Sequence, residues 1–353
     1  MLDFHSYAFS ENFIPQVIID REKEQEIIAD FLKEVANGRN STLYIYGIPG
    51  IGKTVVTRYV TNQFEEAREN ASVIYLICSA LTPANALKEV YFHICGKVGP
   101  SLDSYSMVKR VADRLMKKKH CIVIVLDNFD KMNDGERLVW KIHELMQRAV
   151  RVGLILISTN RLGLVRLLGN RLCSRLSPET LSFNSYDGET LKQILESRIR
   201  QAFGKKIAEE KALTKIAKFI ESTNGNVRTM FKVFINAMNL AQQANLKRIT
   251  TKIVKEAIEQ EKQNMLREKL EEIKETRPRM FKVLKIIAEL SKQGEVYTGL
   301  IKERIRKAGL AVSERTLDYY LNQMESLGLI DLREWRKRGY TRKIEVKFPL
   351  SIV

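Results

Sequence analysis

Residues 47–54 spell Gly-Ile-Pro-Gly-Ile-Gly-Lys-Thr, and few octapeptides restrict a fold so tightly. The spacing of Gly47, Gly52, Lys53 and Thr54 is G-x-x-x-x-G-K-[ST], the pattern of a phosphate-binding loop. Its flanks fit. Residues 42–46 (TLYIY) are apolar and β-favouring, and residues 55–60 (VVTRYV) continue into a helix expected to end before Ala71. Glycines let successive backbone N–H groups turn inward around an anion, and the helix that starts near Lys53 points its positive end at the same place. Lys53 is expected to reach the β- and γ-phosphates of a nucleotide, and the Thr54 hydroxyl to ligate Mg²⁺. Pro49, Gly50, Ile51 and Val55 complete the nucleotide-binding set.

The neighbouring sequence builds an α/β domain around this loop. A second buried strand is expected over residues 72–80, followed by helices over 83–99 and 105–119. Gly99-Pro100 breaks the first of these. Residues 121–126 (CIVIVL) form a third strand that closes on Asp127, an acidic residue placed to hold Mg²⁺ beside the loop. Asn128 comes next. An asparagine cannot accept a proton at neutral pH, but it can orient a water, so the pattern predicts tight nucleotide binding and weak turnover. A helix over 136–150 leads to a fourth strand, 153–160, with Asn160 at its tip, placed either to meet a γ-phosphate or a water or simply to turn the chain. Strands alternating with helices imply a parallel sheet covered on both faces, with ligands beyond the carboxyl ends of the strands.

Before the loop, residues 1–19 are expected as an extended arm, with Asp20 capping the first helix. After Asp187 strands give way to successive helices over 187–203, 209–222, 226–244 and 250–275. Arg228 falls in the first turn of the third, where the helix dipole alone disfavours a cation. A surface arginine and an arginine facing an external anion both remain open. Residues 279–353 then show three amphipathic helices and a basic hairpin around Gly339, the order of a winged helix-turn-helix. The expected domains are an α/β nucleotide-binding unit over 1–184, an all-helical lid with a linker helix over 185–276, and a winged-helix unit over 277–353.

Charge adds a partner. The chain carries 59 Lys and Arg against 42 Asp and Glu, a formal +17. Residues 277–353 hold 17 basic and 9 acidic side chains, a surplus of eight in under a quarter of the length. Much of it crowds the wing, at Arg333, Arg336, Lys337, Arg338, Arg342 and Lys343. Ser313, Arg315, Thr316 and Tyr319 on the third helix face a major groove in such a module. Duplex DNA is favoured over a winged helix used for protein contacts because the charge sits on the wing. The four cysteines and four histidines show no metal or redox spacing, and three of the cysteines read as buried thiols. Without a secretory signal or a membrane-long apolar run, the chain reads as soluble and cytoplasmic, with no membrane partner.

Taken together these motifs resemble archaeal replication initiators of the origin-recognition-complex and cell-division-cycle-six family, AAA+ ATPases with a carboxyl-terminal winged helix. The resemblance spans nearly the whole chain. GIPGIGKT matches Walker A, VIVLDNFD matches Walker B, and LILISTN, ending at Asn160, looks like sensor one. NRLCSRL, residues 170–176, is similar to box seven, so Arg175 would reach a neighbour's ATP. GNVR, residues 225–228, looks like sensor two, which assigns Arg228 to the γ-phosphate. Pro15, Arg21 and Glu22 resemble the segment near the adenine, and residues 81–104 fall where the family inserts a DNA-touching helical element. That region lacks a dense basic cluster, and Asn128 stands where the family usually has glutamate. The resemblance implies ATP or ADP with Mg²⁺ as a conformational switch. It also implies origin duplex DNA, a replicative helicase and paralogous initiator subunits as partners, and a nucleoid-associated location. A STAND-type signalling ATPase without DNA binding and a AAA+ DNA-remodelling motor are the alternatives.

Overall fold

Apolar segments separated by helices cannot pair through tight hairpins, so they pair side by side and parallel. The computed structural model describes residues 6–10, 13–97, 99, 102–159, 163–223, 225–336 and 340–349. Among them five strands make one parallel sheet: β1 (Ser41–Tyr46), β2 (Ala71–Ile77), β3 (Cys121–Asp127), β4 (Val152–Ser158) and β5 (Glu179–Ser182), in the order β2-β3-β4-β1-β5. Register sets the site. Ile77 lies opposite Asp127 and Ser158 opposite Tyr46, so the carboxyl ends of the central strands finish level along one edge.

Every residue of β3 and β4 is buried, which explains their unbroken apolar runs. The two faces of β3 feed two cores. Ile122, Ile124 and Leu126 pack with residues of α3 (Pro83–Cys95), α4 (Ser104–Lys118), α5 (Gly135–Arg148) and α6 (Gly163–Leu176). Val123 and Val125 pack with α1 (Glu22–Ala36) and α2 (Lys53–Glu66).

Several local expectations need correction. Asp20 does not cap α1: it sits at φ 54°, and Arg21 occupies the cap position without a side-chain capping bond. The amino-terminal arm is not wholly extended. Ser6–Phe9 is a 3₁₀ turn, and the Phe9 ring packs 5.3 Å from Phe234 and 5.5 Å from Phe231. Helix α3 ends at Cys95, because Gly96 leaves helical geometry at φ 88° before Gly99 is reached. Strand β5 joins the four expected strands. Of the four cysteines, Cys78 and Cys121 are buried and Cys95 and Cys173 half-buried.

Helices continue with α7 (Gly188–Phe203), α8 (Glu210–Ser222), α9 (Val227–Gln243) and α10 (Thr251–Thr276). Asp187 caps α7 by accepting from the Thr190 amide, and Asn226 caps α9 by accepting from Arg228 and Thr229. Contacts divide the chain into residues 1–257 and 258–353, so the division falls within α10. In the second unit, Leu270 and Ile273 of α10 join a core with α11 (Pro278–Ser291), α12 (Thr298–Lys307) and α13 (Glu314–Ser326). A three-stranded antiparallel sheet completes that unit, with β6 (Val296–Tyr297), β7 (Ile330–Arg336) and β8 (Tyr340–Val346) in the order β6-β8-β7. No described helix is long and apolar enough to cross a membrane.

Phe9 is only 7% exposed although it lies in the arm, so its ring holds the Ser6–Phe9 turn to α9. Phe9→Ala is expected to lower the unfolding free energy by about 3 kcal/mol, the usual cost of deleting a buried ring. Chemical denaturation of the full chain measures this.

Candidate nucleotide site

The site grows from the turn between β1 and α2. Gly50 has φ 77° and Gly52 φ 95°, both in the left-handed region. A Cβ on Gly50 would stand 1.9 Å from the Asn226 side-chain oxygen, and one on Gly52 would stand 2.8 Å from the Tyr186 hydroxyl. Only glycine satisfies both backbone and space at these positions. The loop is also tied to the helical half, because the Val227 amide donates to the Gly50 carbonyl at 2.9 Å. Residues 227–229 therefore begin α9 against the phosphate loop itself.

Lys53 is only 8% exposed. Its ammonium donates to the carbonyls of Gly47 at 2.7 Å and Ile48 at 2.9 Å. Burial pulls its pKa down from 10.5 to about 8; Asp127 and Asp130 oppose the shift, and Arg228 adds to it. Arg228, exposed in the first turn of α9, is thus close enough for its charge to be felt at Lys53.

Thr54, the second residue of α2, donates its hydroxyl to Asp127 Oδ2 at 2.8 Å. The Tyr75 hydroxyl donates to the same oxygen at 2.7 Å, and the Asn128 amide donates to Oδ1 at 2.8 Å. Burial, then the neighbouring Asp127 carboxylate, raises the Tyr75 pKa well above 10, so the phenol stays a donor. Arg58 stacks over the Tyr75 ring at 4.4 Å. Tyr75 escapes a motif search because its role depends on β2–β3 register.

Beside Asp127, Thr159 at the end of β4 donates to Asp130 Oδ2 at 2.6 Å, and Asp130 Oδ1 is buried without a partner. Asn128 adopts φ 55° and starts the short turn that carries Asp130. Asn160 lies outside the described residues.

Arg175, exposed at the end of α6, stacks on Trp140 of α5 at 5.4 Å, with Arg171 at 5.9 Å from the same ring. Arg21 is buried, donates to the Asn184 carbonyl at 2.6 Å and stacks on Tyr186 at 3.9 Å. A cleft opens next to the loop, with Pro15, Ile18, Val55, Tyr186, Ile194 and Arg198 among its walls.

These residues fit a nucleotide with magnesium. A glycine cradle that any Cβ would fill, a desolvated ammonium and a helix start converge on an anion. Thr54 and Asp127 bring two hard oxygens together, the donors Mg²⁺ takes alongside phosphate oxygens and water. When bound, the metal offsets phosphate charge.

In the second unit, Ser313 and Thr316 use their hydroxyls on the α13 cap: Ser313 Oγ accepts from the Thr316 amide and lies 2.7 Å from Thr316 Oγ1. Arg315 and Tyr319 are exposed, four residues apart on one face of α13. Arg342 donates to Asn322 of α13 at 3.1 Å. Arg333 pairs with Glu345 at 2.9 Å, and Lys343 pairs with Glu295. The Arg336 side chain, Lys337 and Arg338 lie outside the described residues.

A parallel sheet with its phosphate loop, acidic strand end and helical lid defines a AAA+ nucleotide-binding protein. The family model for an AAA domain matches residues 36–168, and that for a Cdc6 AAA+ ATPase-type lid domain matches residues 192–259. The chain is similar to the ORC1-type DNA replication protein of Thermoplasma volcanium, at 28% identity over 95% of this chain and 86% of that one. Its fold matches Aeropyrum pernix ORC1, solved in complex with DNA, with a TM-score of 0.66 and 24% identity over 98% of this chain and 94% of the other. Aeropyrum pernix ORC2, solved as ADPNP-ADP complexes, matches with a TM-score of 0.66 and 20% identity over the same shares, 98% and 94%. An AAA domain followed by a Cdc6-type lid makes the chain an AAA+ protein similar to the ORC1-type replication proteins.

Lys53 yields a pH signature. In the protein alone its ammonium gives up its proton as pH rises through about 8. A phosphate anion favours the charged form, so binding above that pH takes a proton up. Affinity therefore falls as pH rises through this window. Calorimetry at pH 8.5 in buffers of different ionisation heat is expected to show uptake of up to about one proton per nucleotide. Lys53→Arg, charged throughout, is expected to abolish the uptake.

Proposed function

We propose that this protein is a nucleotide-switched DNA replication initiator that binds origin duplex DNA and takes part in helicase loading. The observation that carries the reading is the junction of Gly50 with Asn226 and Val227, supported by the ORC1-type relatives. A loop that holds phosphates and a lid helix that carries Arg228 share a hydrogen bond. The γ-phosphate of ATP, absent from ADP, would bias the pose of that helix through Arg228. Lys53 grips the phosphates, and Thr54 with Asp127 holds Mg²⁺. Tyr75 keeps the Asp127 carboxylate oriented.

Turnover is slow on this reading. Asn128 has no basic carboxylate to accept a proton from water, so its part is to orient. The exposed Arg175 completes a neighbouring subunit's site in an assembled form, with paralogous initiators as candidate neighbours.

The carboxyl-terminal unit reads as a winged helix. Its helix α13 offers Arg315 and Tyr319 to a groove, and the basic hairpin β7–β8 offers phosphate contacts. Binding is tested by fluorescence anisotropy across salt concentrations, on duplexes tiling the replicon that encodes the protein. Arg315→Ala is expected to weaken the preferred duplex by about 1–3 kcal/mol and to relax preference at one position. Lys337→Ala and Arg338→Ala are expected to weaken all duplexes evenly and to lower the salt slope by about 1 each. Binding that is indifferent to removal of residues 277–353 overturns the reading. Asn128→Glu is expected to raise steady-state ATP turnover by about 100-fold or more, the scale of general-base assistance.

A further inference from the structure

Arg198 is an anomaly in α7. Its residue is only 8% exposed, and its Nη1 atom is buried with no hydrogen-bond partner. Among the described residues no carboxylate pairs with it. Its guanidinium instead lies over two rings, 4.6 Å from the Phe13 centroid and 5.7 Å from Phe231. Burial draws its pKa down to about 10, with the Tyr186 hydroxyl pulling the other way, so it remains a cation at neutral pH. Burying a cation with an unmet donor costs several kcal/mol on general grounds, roughly, and folds rarely keep one without a use.

Its location supplies the use. Arg198 and Ile194, one turn apart on α7, line the same cleft as Pro15, Ile18, Gly52 and Val55. Gly52 and Val55 belong to the phosphate loop and the first turn of α2. A nucleotide whose phosphates rest on that loop extends its nucleoside along the cleft, between apolar walls suited to a flat base. A guanidinium has donors only, and the ring nitrogens of a purine are acceptors.

We infer that Arg198 reads the nucleobase, its guanidinium donating to a ring nitrogen of a purine seated in this cleft. The inference rests on the nucleotide-binding reading given above and deepens it. The phosphate loop supplies affinity for any nucleoside triphosphate, and Arg198 adds preference for a base that presents an acceptor at one edge. The aromatic rings of Phe13 and Phe231 keep the guanidinium in place before the base arrives, so little ordering is needed on binding.

The test is calorimetric titration of full-length protein with ATP, with 1-, 3- and 7-deaza-ATP, and with 2′-deoxy-ATP, for the wild type and Arg198→Met. Methionine keeps the unbranched apolar stem and removes the charge. Arg198→Met is expected to weaken ATP binding by about 10- to 100-fold, the scale of a charge-assisted hydrogen bond. One deaza analogue is expected to suffer the same loss with the wild type and to bind Arg198→Met as ATP does. The melting temperature of the ligand-free variant is expected to match or exceed that of the wild type, because an uncompensated charge has gone.

Three results overturn the inference. The wild type binds every deaza analogue as it binds ATP; or the loss in Arg198→Met is uniform across all analogues and accompanied by a lower melting temperature; or it tracks 2′-deoxy-ATP, which assigns the contact to ribose. Failure of the wild type to bind ATP at all, with Lys53→Ala indistinguishable from it, removes the nucleotide reading itself and this inference with it.

Discussion

The structure of the first unit is arranged around one desolvated cation. Lys53 sits inside its own loop with two backbone carbonyls for company, and burial draws its pKa towards neutrality. Carbonyl dipoles solvate an ammonium less well than water does, so the site favours any anion that enters. The two carboxylates nearby do not relieve this fully. Asp127 is already engaged by Thr54, Tyr75 and the Asn128 amide, and Asp130 by Thr159. Each of those bonds fixes where a carboxylate oxygen points. The pull on an entering anion and the ordering of the Thr54 and Asp127 oxygens are therefore two results of the same packing.

That packing depends on elements far apart in sequence. The loop follows β1, Asp127 ends β3, Tyr75 lies within β2, and α9 reaches Gly50 from the helical half. Level strand ends place the loop and Asp127 along one edge, and Tyr75, two residues short of the end of β2, reaches Asp127 with its hydroxyl. The buried turn at Arg21 adds a brace, stacking on Tyr186 and donating to the Asn184 carbonyl. Removing any one brace would leave the loop sequence intact but its surroundings wrong.

Much of this was legible before any coordinates. GIPGIGKT, the apolar runs ending at Asp127 and near Asn160, and the switch to unbroken helices after Asp187 depend on local pattern, and local pattern survives folding. What escaped depends on tertiary placement. Strand β5 is four residues long with only Leu181 buried, too short and too polar for periodicity to mark. Helix α6 carries a non-helical Gly169 that interrupts its period. Tyr75 gains its partner through strand register, and Arg198 shows its character only because two phenylalanines and the cleft enclose it. The Asp20 cap failed for a related reason: Arg21 is held at the cap position by contacts across the sheet edge, and tertiary bonds outweigh a cap worth about 1 kcal/mol.

The start of α9 has a consequence of its own. A helix leaves its first amides without internal acceptors, and in many proteins these cradle an anion. Here Val227 gives its amide to Gly50, Arg228 and Thr229 give theirs to the Asn226 side chain, and Met230 bonds the Asn226 carbonyl. The backbone at this end is saturated. Helix α2, by contrast, makes its first internal bond only at Val56, which leaves the amides of Lys53 to Val55 without intrahelical acceptors. On the reading proposed above, the two helix starts divide their labour: α2 would meet phosphate with its main chain, and α9 would do so through the Arg228 side chain. A long cation can follow a departing phosphate over several ångströms, where a fixed row of amides cannot.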